Sequence, residues 1–132
     1  MRAKMMLVLG AMLLVLSITA FAHHSQQATY DLNKKIELKG KLVQFMFRNP
    51  HAFVTLEAPD EGGTMQKWSV EWAGAAQLGG QGVTRETFKV GDVVTITGNP
   101  SRTAVDHRLH MVTIKRERDG FGWGTREGEV VD

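Results

Sequence analysis

Cysteine is absent from the 132 residues. That excludes a disulfide framework, a thiolate nucleophile and thiolate metal ligands, and leaves stability to an ordinary apolar core. Proline is scarce, with three residues, and tyrosine occurs once. The longest apolar run, Met5 to Thr19, falls short of the roughly 20 residues that span a bilayer, and no stop-transfer pattern follows it. Catalytic signatures are missing as well: no Ser/His/Asp set sits at a recognisable elbow, and there is no phosphate-cradling glycine loop and no HExxH helix. Hydrolytic chemistry has no support, and the chain is read as something other than an enzyme.

What stands at the front is "MRAKMMLVLGAMLLVLSITAFA", a basic start at Arg2 and Lys4, an apolar stretch, and Ala20-Phe21-Ala22. This is the layout of a secretory signal peptide with a small-x-small cleavage site. Cleavage is expected after Ala22, giving a periplasmic or secreted chain that begins at His23 and keeps no stable membrane anchor. Taking Arg2 and Lys4 from the 16 basic residues leaves them level with the 14 acidic ones. Without a surplus of Lys and Arg, nucleic acid is not an expected ligand. What remains after residue 22 is enough for one core and too little for two.

From Lys35 the pattern has period two. Ile36, Leu38 and Leu42 share one phase, Val43, Phe45 and Phe47 the other, with Gly40 among them; a phase flip beside a glycine predicts a long, bent strand with a bulge. Asn49-Pro50 ends it in a turn. "HAFVTLEA" reads as a second strand, "PDEGG" as a hairpin loop and "TMQKWSVEW" as a third strand, with Trp68, Val70 and Trp72 forming a buried wall. The stretch from Ala73 to Val90 loses alternation and reads as a crossover, with Thr84 capping a short helical turn in "TRETF". "VVTITG" and "HRLHMVTIKR" supply the fourth and fifth strands. The expected fold is all-β with a short helical crossover, a small five-stranded OB-like Greek-key barrel; an open sandwich is the alternative. The expected boundaries are a leader over 1–22, an arm over 23–34, the barrel over 35–116 and a charged, glycine-rich tail over 117–132, which Phe121 and Trp123 could pin to the barrel.

Five histidines, at 23, 24, 51, 107 and 110, are the chemical cluster. Cleavage before His23 gives that residue a free α-amine of ordinary pKa about 7.7–8.0. Amine and imidazole can then chelate one ion, and a third imidazole would complete a nitrogen-rich, planar set that favours Cu(II). His24 offers a variant, with the amine, a backbone amide and its own imidazole around the ion. His51, just past the Asn49-Pro50 turn, is the candidate partner, and His107, beside Asp106, a possible substitute. His110 reads as a packed or rim histidine. The competing reading leaves His23 and His24 as a hydrophilic arm and His51 as a turn residue. Arg48 and Glu71 are expected to pair across the sheet.

Several of these pieces together resemble a family of small exported bacterial proteins that carry a domain of unknown function. They are "AHHS" at Ala22 to Ser25, "LKGKLVQFMFRNPHAFVTLE" at Leu38 to Glu57, the Trp68 strand, "GVTRETFKVGDVVTITG" at Gly82 to Gly98, and "DGFGWG" near the end. The resemblance implies export, a periplasmic OB-type barrel and prominence of His23, His24 and His51; it implies no reaction. The "AGAAQLGGQG" that follows the third strand departs from the family's pattern, which has a proline and a more helical run there. The sequence therefore predicts a small exported binding or accessory protein, with copper as candidate ligand, or alternatively a metal-independent module that docks an exported partner.

Overall fold

Alternating apolar residues build the first sheet. In the computed structural model, which describes residues 26–125, β1 (Ile36–Met46), β2 (Phe53–Pro59) and β3 (Met65–Glu71) form an antiparallel meander. The expected leader, His23, His24 and the last seven residues lie outside the described residues. Val54, Leu56 and Ala58 of β2 and Trp68 and Val70 of β3 are buried, while their alternates face outward. Asp60 shapes the β2–β3 loop, its Oδ1 accepting from the backbone N–H of Gly62 and of Thr64, each at 2.9 Å.

β1 serves two partners in succession, β4 through Lys41 and β2 from Lys41 onward. At Gly40, just before this changeover, a Cβ would lie 2.2 Å from the Glu57 carbonyl oxygen, so the strand bends where only glycine fits. The bulge falls between Leu42 and Gln44, not beside the glycine. It flips the phase as the sequence predicts: Leu38 and Leu42 are buried on one side of it, and Phe45 and Phe47 pack on the same core from the other.

The crossover contains α1 (Ala75–Gly80), which buries Leu78. The expected helical turn at Thr84 is instead a hydrogen-bonded turn, with Thr87 N donating to Thr84 O at 3.1 Å. The helix lies earlier because its first turn finds partners from another loop. Gly74 at its N-cap has no side chain, but Ala76 N donates to Asn49 Oδ1 and Ala75 N to Arg48 O, both at 3.1 Å. A Cβ on Gly74 would meet Pro50 O at 2.5 Å and Asn49 Oδ1 at 2.8 Å. The Asn49-Pro50 turn, whose peptide bond is cis, and the helix start are thus one packed unit.

β4 (Val93–Pro100) and β5 (Arg108–Arg116) complete a ring of order β1-β2-β3-β5-β4-β1. It closes through a parallel seam of three residue pairs, Ser69↔Arg108, Val70↔Leu109 and Glu71↔His110. This is a closed five-stranded Greek-key barrel of the OB type, and closure leaves no long open edge. β6 (Gly122–Trp123) adds to β5 and carries Trp123 into the core, edge-on to Trp72 at 5.0 Å. Nearby, the buried Arg116 guanidinium is held by Asp119 at 2.7 Å and the Thr87 carbonyl, and lies over the rings of Phe88 and Phe121.

Residues 26–34 pack across the outside of the barrel. A helical turn over 26–29 leads to Tyr30, which bridges Ser101 and is only 1% exposed. Asp31 N donates to Pro100 O at 2.9 Å, and the buried Asn99 amide donates to Lys34 O at 2.7 Å and Leu32 O at 3.3 Å. Arg102 Nε fixes Gln27 O at 2.8 Å.

Candidate functional site

The parallel seam turns two side chains outward at one level, Glu71 from β3 and His110 from β5. Inward-facing neighbours Val70, Trp72, Leu109 and Met111 are buried, so the barrel core sets the direction of both. The loop after β1 brings His51 to the same level. Its Nδ1 lies 3.3 Å from Trp72 O and 3.4 Å from Glu71 Oε1. Both are acceptors, so a proton on Nδ1 satisfies them, and in the neutral ring that tautomer leaves the lone pair on Nε2.

Glu71 is the hub. Its Oε2 accepts from the Tyr30 hydroxyl at 2.6 Å and lies 3.6 Å from the Arg108 guanidinium, which also donates to the Tyr30 oxygen at 3.2 Å. Burial, then the hydrogen bond and negative charge of Glu71, push the Tyr30 hydroxyl above its ordinary pKa, against the opposing charge of Arg108. The Tyr30 ring packs on His110 with centroids 5.5 Å apart. His110 is held below the usual imidazole range, first by burial and also by the charge of His51, while Glu71 acts the other way. The remaining polar contact of His110 is from the arm, with Gln26 Nε2 3.3 Å from its Nε2.

Of the residues singled out from sequence, His51 sits in this cluster, with 43% of its side chain exposed. His23 and His24 fall outside the described residues. His107 is placed elsewhere, in a left-handed conformation (φ 45°) after the turn at Ala104–Asp106, its ring 5.0 Å from Trp68 and edge-on to it. It lines a cleft of about 680 Å³ with Ile36, Trp68, Val105, Asp60 and Arg102. The expected Arg48–Glu71 pair is not formed. Arg48 lies over the Phe53 ring at 5.5 Å, and Glu71 is taken by groups that the seam and the arm deliver.

Sequence reasoning gave Tyr30 and Arg108 no role and read Glu71 only as a partner for Arg48; it read His110 as a packed or rim histidine, and the ring is packed against Tyr30. Two parts of the sequence carried a usable clue: a fifth strand with outward His110 must close against the third in a small barrel, and a lone tyrosine before the first strand needs a partner for its hydroxyl when buried. Among the described residues, no three or more His, Cys, Asp or Glu are arranged to hold a metal ion. What the cluster offers is the His51 imidazole beside the Glu71 carboxylate and the His110 imidazole packed on Tyr30 and in contact with the Gln26 amide.

A protein-family model described as "Family of unknown function (DUF6152)" matches residues 11–110. No curated protein matches the chain. Among solved structures it is similar to the mitochondrial single-stranded DNA binding protein Rim1 from S. cerevisiae, at 15% identity and a TM-score of 0.48, over 66% of this chain and 96% of that one.

Proposed function

The chain belongs to this family of unknown function, and from that premise we propose an exported binding or accessory protein, not an enzyme, that holds Cu(II) at its mature N-terminus against the β3–β5 seam. The ligands are the amine and imidazole of His23, with His24 and His51 beside them. The observation that carries the reading is the contact of Gln26 with His110, on the same patch as His51 and Glu71. Three residues of extended chain reach at most roughly 10 Å. A chain that starts at His23 therefore has its chelating end within span of the seam. His51 is suited to the role, because its Nδ1 faces the backbone carbonyl of Trp72, just past the end of β3, and the neutral tautomer that donates there presents Nε2 to an ion. Metal-binding imidazoles characteristically have the second nitrogen anchored in this way.

The test is to export the protein so that the native end forms, verify that end by mass, and titrate Cu(II) beside a form with one extra N-terminal residue. The extra residue should weaken binding at least roughly tenfold, the cost attached even to supporting groups of a metal site, and His51→Ala should weaken it similarly. Equal affinity in the native and extended forms would sink the N-terminal site.

The cleft beside Trp68 favours a second reading, a metal-independent interaction module. Its wall combines apolar Ile36 and Val105 with charges of both signs, the make-up of a docking surface with an apolar centre and polar rim. Under that reading His51→Ala complements a deletion strain fully, while a charge reversal at Arg102 does not.

A further inference from the structure

We propose that the cleft beside Trp68 binds a small carboxylate with an apolar body, the body against Trp68 and the acid group on the Arg102 guanidinium. This needs neither copper nor a protein partner, so it stands apart from both readings of function above.

The cleft opens where the ring of strands ends. It is bounded by the start of β1 at Ile36, the β2–β3 loop at 60–62 and the β4–β5 connection. At about 680 Å³ it falls within the roughly 300–1,000 Å³ of sites that hold one small molecule, and the mouth of a barrel is a recurrent place for one. Its walls are fixed. Trp68 is 7% exposed, its Nε1 donating to Ala58 O at 3.2 Å. His107 stands edge-on to that indole, and its carbonyl accepts from Ser69 N at 3.0 Å, which ties the β4–β5 connection to β3. Val105 belongs to the same lining and is 79% exposed. A solitary exposed valine needs no explanation, but this one adds apolar surface to Ile36 and Trp68 at a concave site.

The formal charges of the lining cancel, Asp31, Asp60 and Glu61 against Lys34, Arg102 and Arg108. Hydrogen bonding decides which sign of ligand is favoured. Asp60 already accepts from Gly62 N, Thr64 N and Gln66 Nε2. Asp31 accepts from Asn33 N and lies 3.8 Å from Lys34 Nζ, and Arg108 is drawn to Glu71 and Tyr30. Glu61 is exposed at the loop tip, where solvent and salt screen it.

Arg102 differs from all of these. Its Nε donates to Gln27 O at 2.8 Å and its backbone N to Thr29 O at 3.0 Å, so the side chain is held at both ends, yet its two terminal nitrogens meet no acceptor among the described residues. A guanidinium keeps its charge at any physiological pH, and its paired N–H donors match a carboxylate. An anion therefore finds an oriented partner in the cleft, whereas a cation would have to displace bonds that shape the β2–β3 loop and the arm. One free fork suits a monoanion; a phosphate ester, with a charge of about −1.5 to −2, would set more charge against the acids of the lining than Arg102 alone offsets.

The experiment uses the exported protein without metal and 1-naphthaleneacetate as probe. Its neutral amide, 1-naphthaleneacetamide, keeps the body without the charge, and acetate keeps the charge without the body. The readouts are affinity by calorimetry and the indole N–H signals of the three tryptophans. The signal of Trp68 should move while those of Trp72 and Trp123, which pack on each other outside the cleft, stay still. A Kd of about 1 mM or tighter is expected for a ligand of this size. The amide and acetate should each bind at least roughly tenfold more weakly, and so should the probe on Arg102→Gln, as follows when a charged hydrogen bond is lost. Because Arg102→Gln also removes the bond to Gln27 O, thermal unfolding checks its fold. Val105→Asp, at an exposed position, is the second variant, and the like charge that it adds to the lining should weaken the probe as well.

Equal affinity for the acid and its amide overturns the site, as does unchanged affinity in a folded Arg102→Gln or in Val105→Asp. A probe that moves Trp72 or Trp123 and leaves Trp68 still, or that shows no saturation at roughly ten times the expected Kd, overturns it too. None of these results touches the copper reading, because His51 is not part of the cleft's lining.

Discussion

The same dipeptide occurs twice, Asn49-Pro50 and Asn99-Pro100, each with a histidine downstream, and the two copies do opposite work. Asn49 is exposed and leaves the strands: its Oδ1 accepts from Ala76 N and so caps a helix from another loop. Asn99 is buried and stays in β4, where it pairs with His110 while its amide donates to two carbonyls of the N-terminal segment. Pro50 sits in a turn, whereas Pro100 ends a strand and accepts from Asp31 N. Asn-Pro is a turn signal only because proline stops a ladder. At the edge of β4 the ladder is ending anyway, and the asparagine is free to serve as a donor to backbone that crosses it. One copy orients His51 through the loop that it shapes, the other secures the arm that covers His110, so both reach the same cluster from opposite sides.

The largest test of that contrast is Asn99→Ala. It removes two hydrogen bonds and leaves the carbonyls of Leu32 and Lys34 without their buried donor, so a loss of about 2–3 kcal/mol is expected in chemical denaturation at neutral pH. Hydrogen exchange should report the arm opening first.

Next comes the tyrosine that this arm carries. Tyr30→Phe deletes the 2.6 Å bond to Glu71 and should cost about 1.5–2 kcal/mol, as for a hydrogen bond to a charged group. In the unsubstituted protein the folded-state pKa of Tyr30 lies above the ordinary 10.0. Its contribution is therefore complete below pH 10 and declines as the pH climbs beyond that value, because the unfolded chain ionises first. Since the chain has one tyrosine, the ultraviolet band of tyrosinate reads it without interference: the band should emerge only well above pH 10, and stability should fall with it. A band that rises with a midpoint near 10 would show Tyr30 to be free of the seam.

The smallest effect is expected from Asn49→Ala, about 1 kcal/mol or less, the usual worth of a helix cap. If Asn49→Ala instead costs more than Asn99→Ala, the division of labour between the two copies is wrong.

The barrel was legible because its evidence is local. Trp68, Val70 and Trp72 alternate as a core wall, the β1 phase flip announces a bulge, and all five barrel strands start within two residues of where the sequence places them. The helix was misplaced because Ala75–Gly80 owes its first turn to Asn49, a partner that sits 27 residues away. The site was legible only at His51. Glu71 and His110 meet through a register 39 residues apart, and Tyr30 joins Glu71 at a separation of 41. No periodicity encodes such meetings, which exist only once the ring is closed.

The three-pair seam between β3 and β5 also has a meaning for anyone who shortens this protein. Every other joint of the ring has five or more paired positions, so this one is the weakest stave, and residues 26–34 are the hoop around it, nailed by Tyr30 and Asn99. A fragment trimmed to begin at Lys35, where alternation first shows, would keep every strand and still lose the hoop. The folded unit starts upstream of the ring that the strands define, and truncations at that end act on the barrel's closure as directly as a core substitution would.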